Sequence, residues 1–112
     1  MRENDKPVLI YSTFPTKEAA EEVGTALIED RLAACVNILP GMTAIYRWEG
    51  KIARDDEVVM IIKTKLSRAD AAIIAVKERH SYANPALMVI PIESGSPQYL
   101  DWLVEETGEK RE

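Results

Sequence analysis

The chain has a single cysteine, Cys35, and a single histidine, His80. A thiolate and an imidazole can bind a metal, or act as a nucleophile and its base. A closed tetrahedral zinc site takes four ligands and a catalytic one three. Two ligands per chain must therefore recruit a carboxylate such as Glu57, or be shared between chains. Cu(I), which accepts few, soft ligands, also suits the pair. A Cys–His nucleophile pair needs hydrogen-bond contact, which spacing does not establish. Structural roles compete with these. Cys35 lies in Ala33–Ala34–Cys35–Val36–Asn37, the setting of a small buried hydrophobe, with no basic neighbour in sequence to activate it. His80 follows Lys77 and Arg79, where cationic residues suit a helix C-terminus.

Glu57, Lys63 and Lys65 punctuate an apolar stretch at even spacing, so a strand without a bulge presents them on one face. That face is either a solvated edge or an anion-binding lysine with a carboxylate partner, lining a cleft between subunits. No glycine-rich phosphate loop, HExxH helix or serine elbow is present.

These residues sit in a chain of 112 residues and 12.6 kDa, the size of one domain, taken as 1–112. Net charge is −5 and the pI about 5.0, which argues against nucleic acid or an anionic membrane as partner. One cysteine allows no intramolecular disulfide. The apolar run Val8–Leu9–Ile10–Tyr11 is too short for a signal peptide or a membrane span. A reducing cytoplasm is the expected location. Residues 1–6 and 108–112 read as solvated tails.

The elements that must position the chemistry follow from periodicity. Val8 to Phe14 reads as a central strand. Thr16 caps a helix carrying Ala20, Val23, Ala26 and Leu27 on its inner face, and Gly24 within it marks close approach to the sheet. Ala33 to Leu39 alternates, Pro40–Gly41 predicts a bulge, and pairing resumes from Met42 to Trp48. Glu49–Gly50 is a tight turn, and the return strand runs from Lys51 to Lys65. Ser67 caps a second helix with Ala69, Ala72, Ile73 and Val76 inward. Ala86 to Ile92 is a last strand. Ser96–Pro97 opens a closing helix that Gly108 ends. The order is β-α-β-β-α-β plus a C-terminal helix: an α+β, ferredoxin-like antiparallel sheet with both helices on one face.

Residues 51 to 65 as one strand would span roughly 50 Å, against a radius of gyration near 13 Å for a chain this long. The hairpin overhangs its own domain or bends. A half-apolar overhang is an open edge that needs a partner, and its tip carries Tyr46 and Trp48, types favoured at interfaces. Oligomerisation is expected.

Several segments together are recognisable. Ala33–Ala34–Cys35–Val36–Asn37–Ile38, Pro40–Gly41, Tyr46–Arg47–Trp48–Glu49–Gly50–Lys51, Glu57, Ile62–Lys63–Thr64, His80 with Tyr82 and Pro85, and Tyr99–Leu100–Asp101–Trp102 resemble the CutA family of divalent-cation tolerance proteins. The resemblance implies a cytoplasmic, ferredoxin-like homotrimer that packs its long hairpins between subunits. It implies tolerance of copper and other divalent ions, no enzymatic activity, and a metal ion or small anion bound in the inter-subunit cleft, with no cofactor needed for folding. In that cleft Cys35 and His80 are soft ligands and Glu57 a hard one. Lys63 and Tyr82 line it and Trp48 closes it. The alternative is a trimeric scaffold or signalling-type protein that binds cations incidentally. The chain departs from the family where His80–Ser81–Tyr82–Ala83–Asn84–Pro85–Ala86 stands in place of His-Pro-Tyr-Glu-x-Pro-Glu. It also has Ser12 where some members carry a thiol, and Arg79 where some carry a second histidine. Any metal site is therefore expected to be weaker than in those relatives.

Overall fold

A computed structural model describes residues 5–108. The elements are β1 (Pro7–Phe14), α1 (Lys17–Glu29), β2 (Cys35–Trp48), β3 (Lys51–Lys65), α2 (Leu66–Arg79), β4 (Met88–Pro91) and α3 (Pro97–Glu105). The four strands form one antiparallel sheet in the order β2-β3-β1-β4. An α+β chain with this sheet and three helices is the architecture the element order predicts.

The core lies between one sheet face and two helices. Val8, Ile10 and Phe14 of β1 and Val58, Met60 and Ile62 of β3 meet Ala20, Val23 and Leu27 of α1 and Ala69, Ala72 and Val76 of α2. Alternation fixes this: successive strand residues point to opposite faces, and the apolar set of both strands is even-numbered. The odd-numbered residues Glu57, Val59, Ile61, Lys63 and Lys65 of β3 are half-buried on the other face. Here α3 packs, because Lys63 and Lys65 both donate hydrogen bonds to it.

Local signals hold where the chemistry is local. Thr16 Oγ1 accepts the Ala19 amide at 3.1 Å and caps α1. A Cβ on Gly24 would lie 2.8 Å from Val36 Cγ2, which is why glycine stands inside that helix. The β2–β3 register shifts between Leu39 and Met42, at the expected bulge. Glu49 and Gly50 both have positive φ, 49° and 78°, as a two-residue hairpin turn with the strands' own twist requires.

Four expectations need correction. Ser67 does not cap α2; β3 runs straight into the helix with Lys65 at the N-cap and no side-chain cap, and the Leu66 amide donates instead to the Lys6 carbonyl at 2.8 Å. Strand β4 is shorter than 86–92: it pairs with β1 only from Met88, opposite Tyr11, to Pro91, opposite Val8, and Pro91 adds no donor to the ladder at that end. Helix α3 ends at Glu105. Gly108 lies beyond it and is not a free tail residue: its amide donates to the Arg31 carbonyl at 3.0 Å. The rest of the expected tails, residues 1–4 and 109–112, lies outside the described residues.

β1 pairs with β3 only over Val58–Lys65, while β2 follows β3 out to Trp48↔Lys51. The segments Met42–Trp48 and Lys51–Glu57 therefore form a two-stranded ribbon standing clear of the body. It stretches the protein to 49 × 28 × 21 Å and lifts the radius of gyration to 14.8 Å, above the ~13 Å of a compact chain near this length.

Candidate functional site

Where the ribbon leaves the body, two carboxylates share one face of β3. Asp55 and Glu57 are two residues apart on an unbroken strand, so their Cα atoms stand about 6–7 Å apart. Each meets a phenol. The Tyr46 hydroxyl, from β2, donates to the Asp55 carboxylate. The Tyr82 hydroxyl, from the loop after α2, donates to Glu57 Oε2 at 2.9 Å. A carboxylate accepts at about four positions, so both retain lone pairs for a further partner. Oxygen ligands of this kind suit hard divalent cations.

His80 sets that loop. Its Nε2 lies 2.7 Å from the Thr13 carbonyl oxygen. A carbonyl only accepts, so Nε2 carries the proton. Nδ1 then accepts the Tyr82 amide at 3.0 Å. The ring stacks on Phe14 with centroids 4.4 Å apart and leans on Tyr82 at 4.7 Å. Both ring nitrogens are thus engaged in aiming Tyr82 at Glu57.

Tyr82 keeps 36% of its surface exposed. Burial of the rest, then the hydrogen bond to Glu57 and the negative field of Glu57 and Asp55, push its phenol up to about 12. Tyr46 is raised too, first by its hydrogen bond to Asp55. Both phenols therefore remain neutral donors near neutral pH.

A second group lies six residues along β3, about 20 Å from Glu57. Lys63 Nζ donates to Tyr99 Oη of α3 at 3.0 Å and sits 5.3 Å from the ring centroid. Cys35 is the Cα partner of Lys63 across the β2–β3 ladder. The basic neighbour that Cys35 lacks in sequence is thus supplied by the register. The Tyr99 hydrogen bond is the main cause raising the Lys63 ammonium above its usual range; burial opposes it and the Cys35 sulfur adds to it. The carboxylate partner expected for Lys63 is not Glu57 of the same chain.

Trp48 stands at the ribbon tip, 64% exposed and opposite Lys51. The expected site residues therefore fall into three places. Glu57, Tyr82 and His80 come together, Cys35 and Lys63 come together elsewhere, and Trp48 is apart from both. Among the described residues no three His, Cys, Asp or Glu side chains gather in one chain. Asp55 joins these groups without having been expected there, and Tyr99 entered the sequence reading only within the family segment Tyr99–Trp102. The even spacing of Asp55 and Glu57 was legible; the contact from α3 to Lys63 had no sequence signal, because it crosses the sheet at 36 residues' separation.

Comparison with known proteins adds an independent line. A family described as the CutA1 divalent ion tolerance protein matches residues 8–106. The divalent-cation tolerance protein CutA of Thermus thermophilus is 43% identical over 100 residues, 89% of this chain and 97% of that protein. The chloroplastic protein CutA of Arabidopsis thaliana is 39% identical over 96% of this chain, which spans 60% of that longer protein. The crystal structure of CutA from Xylella fastidiosa superposes with a TM-score of 0.90 at 38% identity, covering 92% of this chain and 99% of that one.

Proposed function

The chain belongs to the CutA1 divalent ion tolerance protein family, and from that premise we propose that it works as a cytoplasmic, non-catalytic homotrimer that holds a divalent cation, copper included, in clefts between subunits. No helix among the described residues is long and apolar enough to cross a membrane.

One observation carries the reading: the ribbon projects from the body with Asp55 and Glu57 at its foot. Ile45, Trp48 and Ile52 on it are 70%, 64% and 77% exposed, and a strand pair with that much uncovered apolar surface invites pairing with another copy. Met88, Val89 and Ile90 on the edge strand β4 are exposed as well. A neighbouring copy laid along the ribbon covers these side chains and gives the carboxylates a second wall. The sheet order β2-β3-β1-β4 supports the ferredoxin-like reading of the subunit.

In this cleft Glu57 is the hard ligand, aided by Asp55. His80 acts mainly by holding Tyr82, and becomes a ligand only by releasing the Tyr82 amide. Cys35 joins a shell with Glu57 only from another subunit, given their separation within one chain. Lys63, Tyr82 and Trp48 line the walls.

Titration calorimetry of the intact protein with Zn²⁺, Cu²⁺ and Cu(I) tests this. Saturable binding is expected, weakened about tenfold or more in Glu57→Gln, a loss of roughly 1.4 kcal/mol. Affinities equal to wild type in Glu57→Gln, in Asp55→Asn and in the Cys35→Ser, His80→Ala double variant would remove every assigned ligand. The absence of any cation binding would leave the assembly itself as the function.

A further inference from the structure

We propose that Lys63 and Tyr99 together form a receptor for a phosphate group on the sheet face opposite α1 and α2. The inference deepens the cleft reading above by adding a subsite of opposite charge to the carboxylates.

The donor count leads to it. Lys63 is half-buried, and among the described residues it makes no ion pair. Its one side-chain partner is the Tyr99 oxygen, which accepts. An ammonium has three N–H donors, so two remain. Tyr99 accepts from Lys63 and so keeps its own O–H to donate. Three donors and one unneutralised positive charge thus converge on one spot, in a protein whose net charge is −5. A tetrahedral oxyanion with several acceptor oxygens matches that set, and a cation does not.

The receptor is also held in place. Helix α3 is fixed at its far end by two other cations. Arg31 Nε and Nη2 donate to the Gly108 and Glu105 carbonyls, each at 3.1 Å, and Lys65 Nζ donates to the Val104 carbonyl at 3.3 Å. Positive groups at a helix C-terminus are favourable there. The helix therefore presents Tyr99 to Lys63 as a fixed strut. Trp102, one turn on, backs the Tyr99 ring with centroids 5.6 Å apart.

The bound group is the phosphate itself, either free inorganic phosphate or the end of a phosphate monoester. Calorimetry on the metal-free, intact protein uses inorganic phosphate in one arm and glycerol phosphate in the other. Saturable binding in either arm supports the receptor, and the tighter arm identifies the source. Lys63→Met, which keeps the aliphatic stem, is expected to weaken binding about tenfold or more, and Tyr99→Phe about three- to tenfold. Both arms are run without added metal, so phosphate binding is read whether or not the protein takes up a cation, and the cation site and this one fail separately. No saturable binding in either arm overturns the proposal. So does wild-type affinity in Tyr99→Phe, which keeps the ring and decides the matter even where Lys63→Met folds poorly.

Discussion

The Tyr82 hydroxyl donates to Glu57 Oε2 at 2.9 Å across 25 residues of sequence. This bond ties the loop after α2 to the foot of the ribbon, and His80 aims it through the Tyr82 amide. The histidine that looks like a ligand by composition is, by its hydrogen bonds, an orienting residue.

The bond has a signature at high pH. Tyr82 is raised from 10.0 to about 12. A group raised in the folded state contributes stability that is fully present below its unfolded value, near pH 10, and lost as pH rises through about 12. In an ultraviolet phenolate titration of the four tyrosines, one is expected to ionise near pH 12 while the protein is folded. Glu57→Gln should move that step to lower pH. A late step that stays put in Glu57→Gln contradicts the assigned pair.

Ser12 is fully buried and its hydroxyl has no hydrogen-bond partner among the described residues. An unsatisfied buried hydroxyl costs stability, so Ser12→Ala is expected to stabilise the protein by about 1 kcal/mol. Urea unfolding at unchanged m-value reads it. A loss of stability in that variant would show that the hydroxyl has a partner.

Gly24→Ala sets two effects against each other. Helix propensity favours alanine by up to about 1 kcal/mol. The new Cβ, however, would lie 2.8 Å from Val36 Cγ2 and 3.4 Å from Met60 Sδ, and overpacking costs about 1–3 kcal/mol. A net destabilisation is expected in the same urea assay. A stabilised variant would mean that β2 yields easily.

Arg31 holds α3 from the end of α1, with φ 56° and two hydrogen bonds to carbonyls beyond Val104. Arg31→Ala should cost about 1–3 kcal/mol and raise amide exchange over residues 97–105 before the rest of the sheet. Uniform exchange across the chain would show that α3 is not a separately held element.

What the sequence revealed and what it hid divide along contact range. Thr16, Gly24, the bulge at Pro40–Gly41 and the turn at Glu49–Gly50 act on neighbours a few residues away, and each was legible. So was the shared face of Glu57, Lys63 and Lys65, because an unbroken strand preserves parity. The Ser67 cap failed because the end of β3 and the Lys6 carbonyl, far off in sequence, already supplied that helix start. Within one chain the expected ligand set of Cys35, Glu57 and His80 divides between two places, as a site shared between subunits requires. The register puts Cys35 opposite Lys63, and the hydrogen bonds of His80 place it with Glu57 instead. The family pattern of segments carried the assignment that periodicity alone left open.

The most direct test of the assembly is the mass of the native species. Sedimentation equilibrium at micromolar concentration should give three times 12.6 kDa, about 38 kDa, with Ile52→Glu on the ribbon shifting the protein to smaller species. A stable, folded species at the mass of one chain in the wild type would contradict the shared cleft and the cation reading built on it.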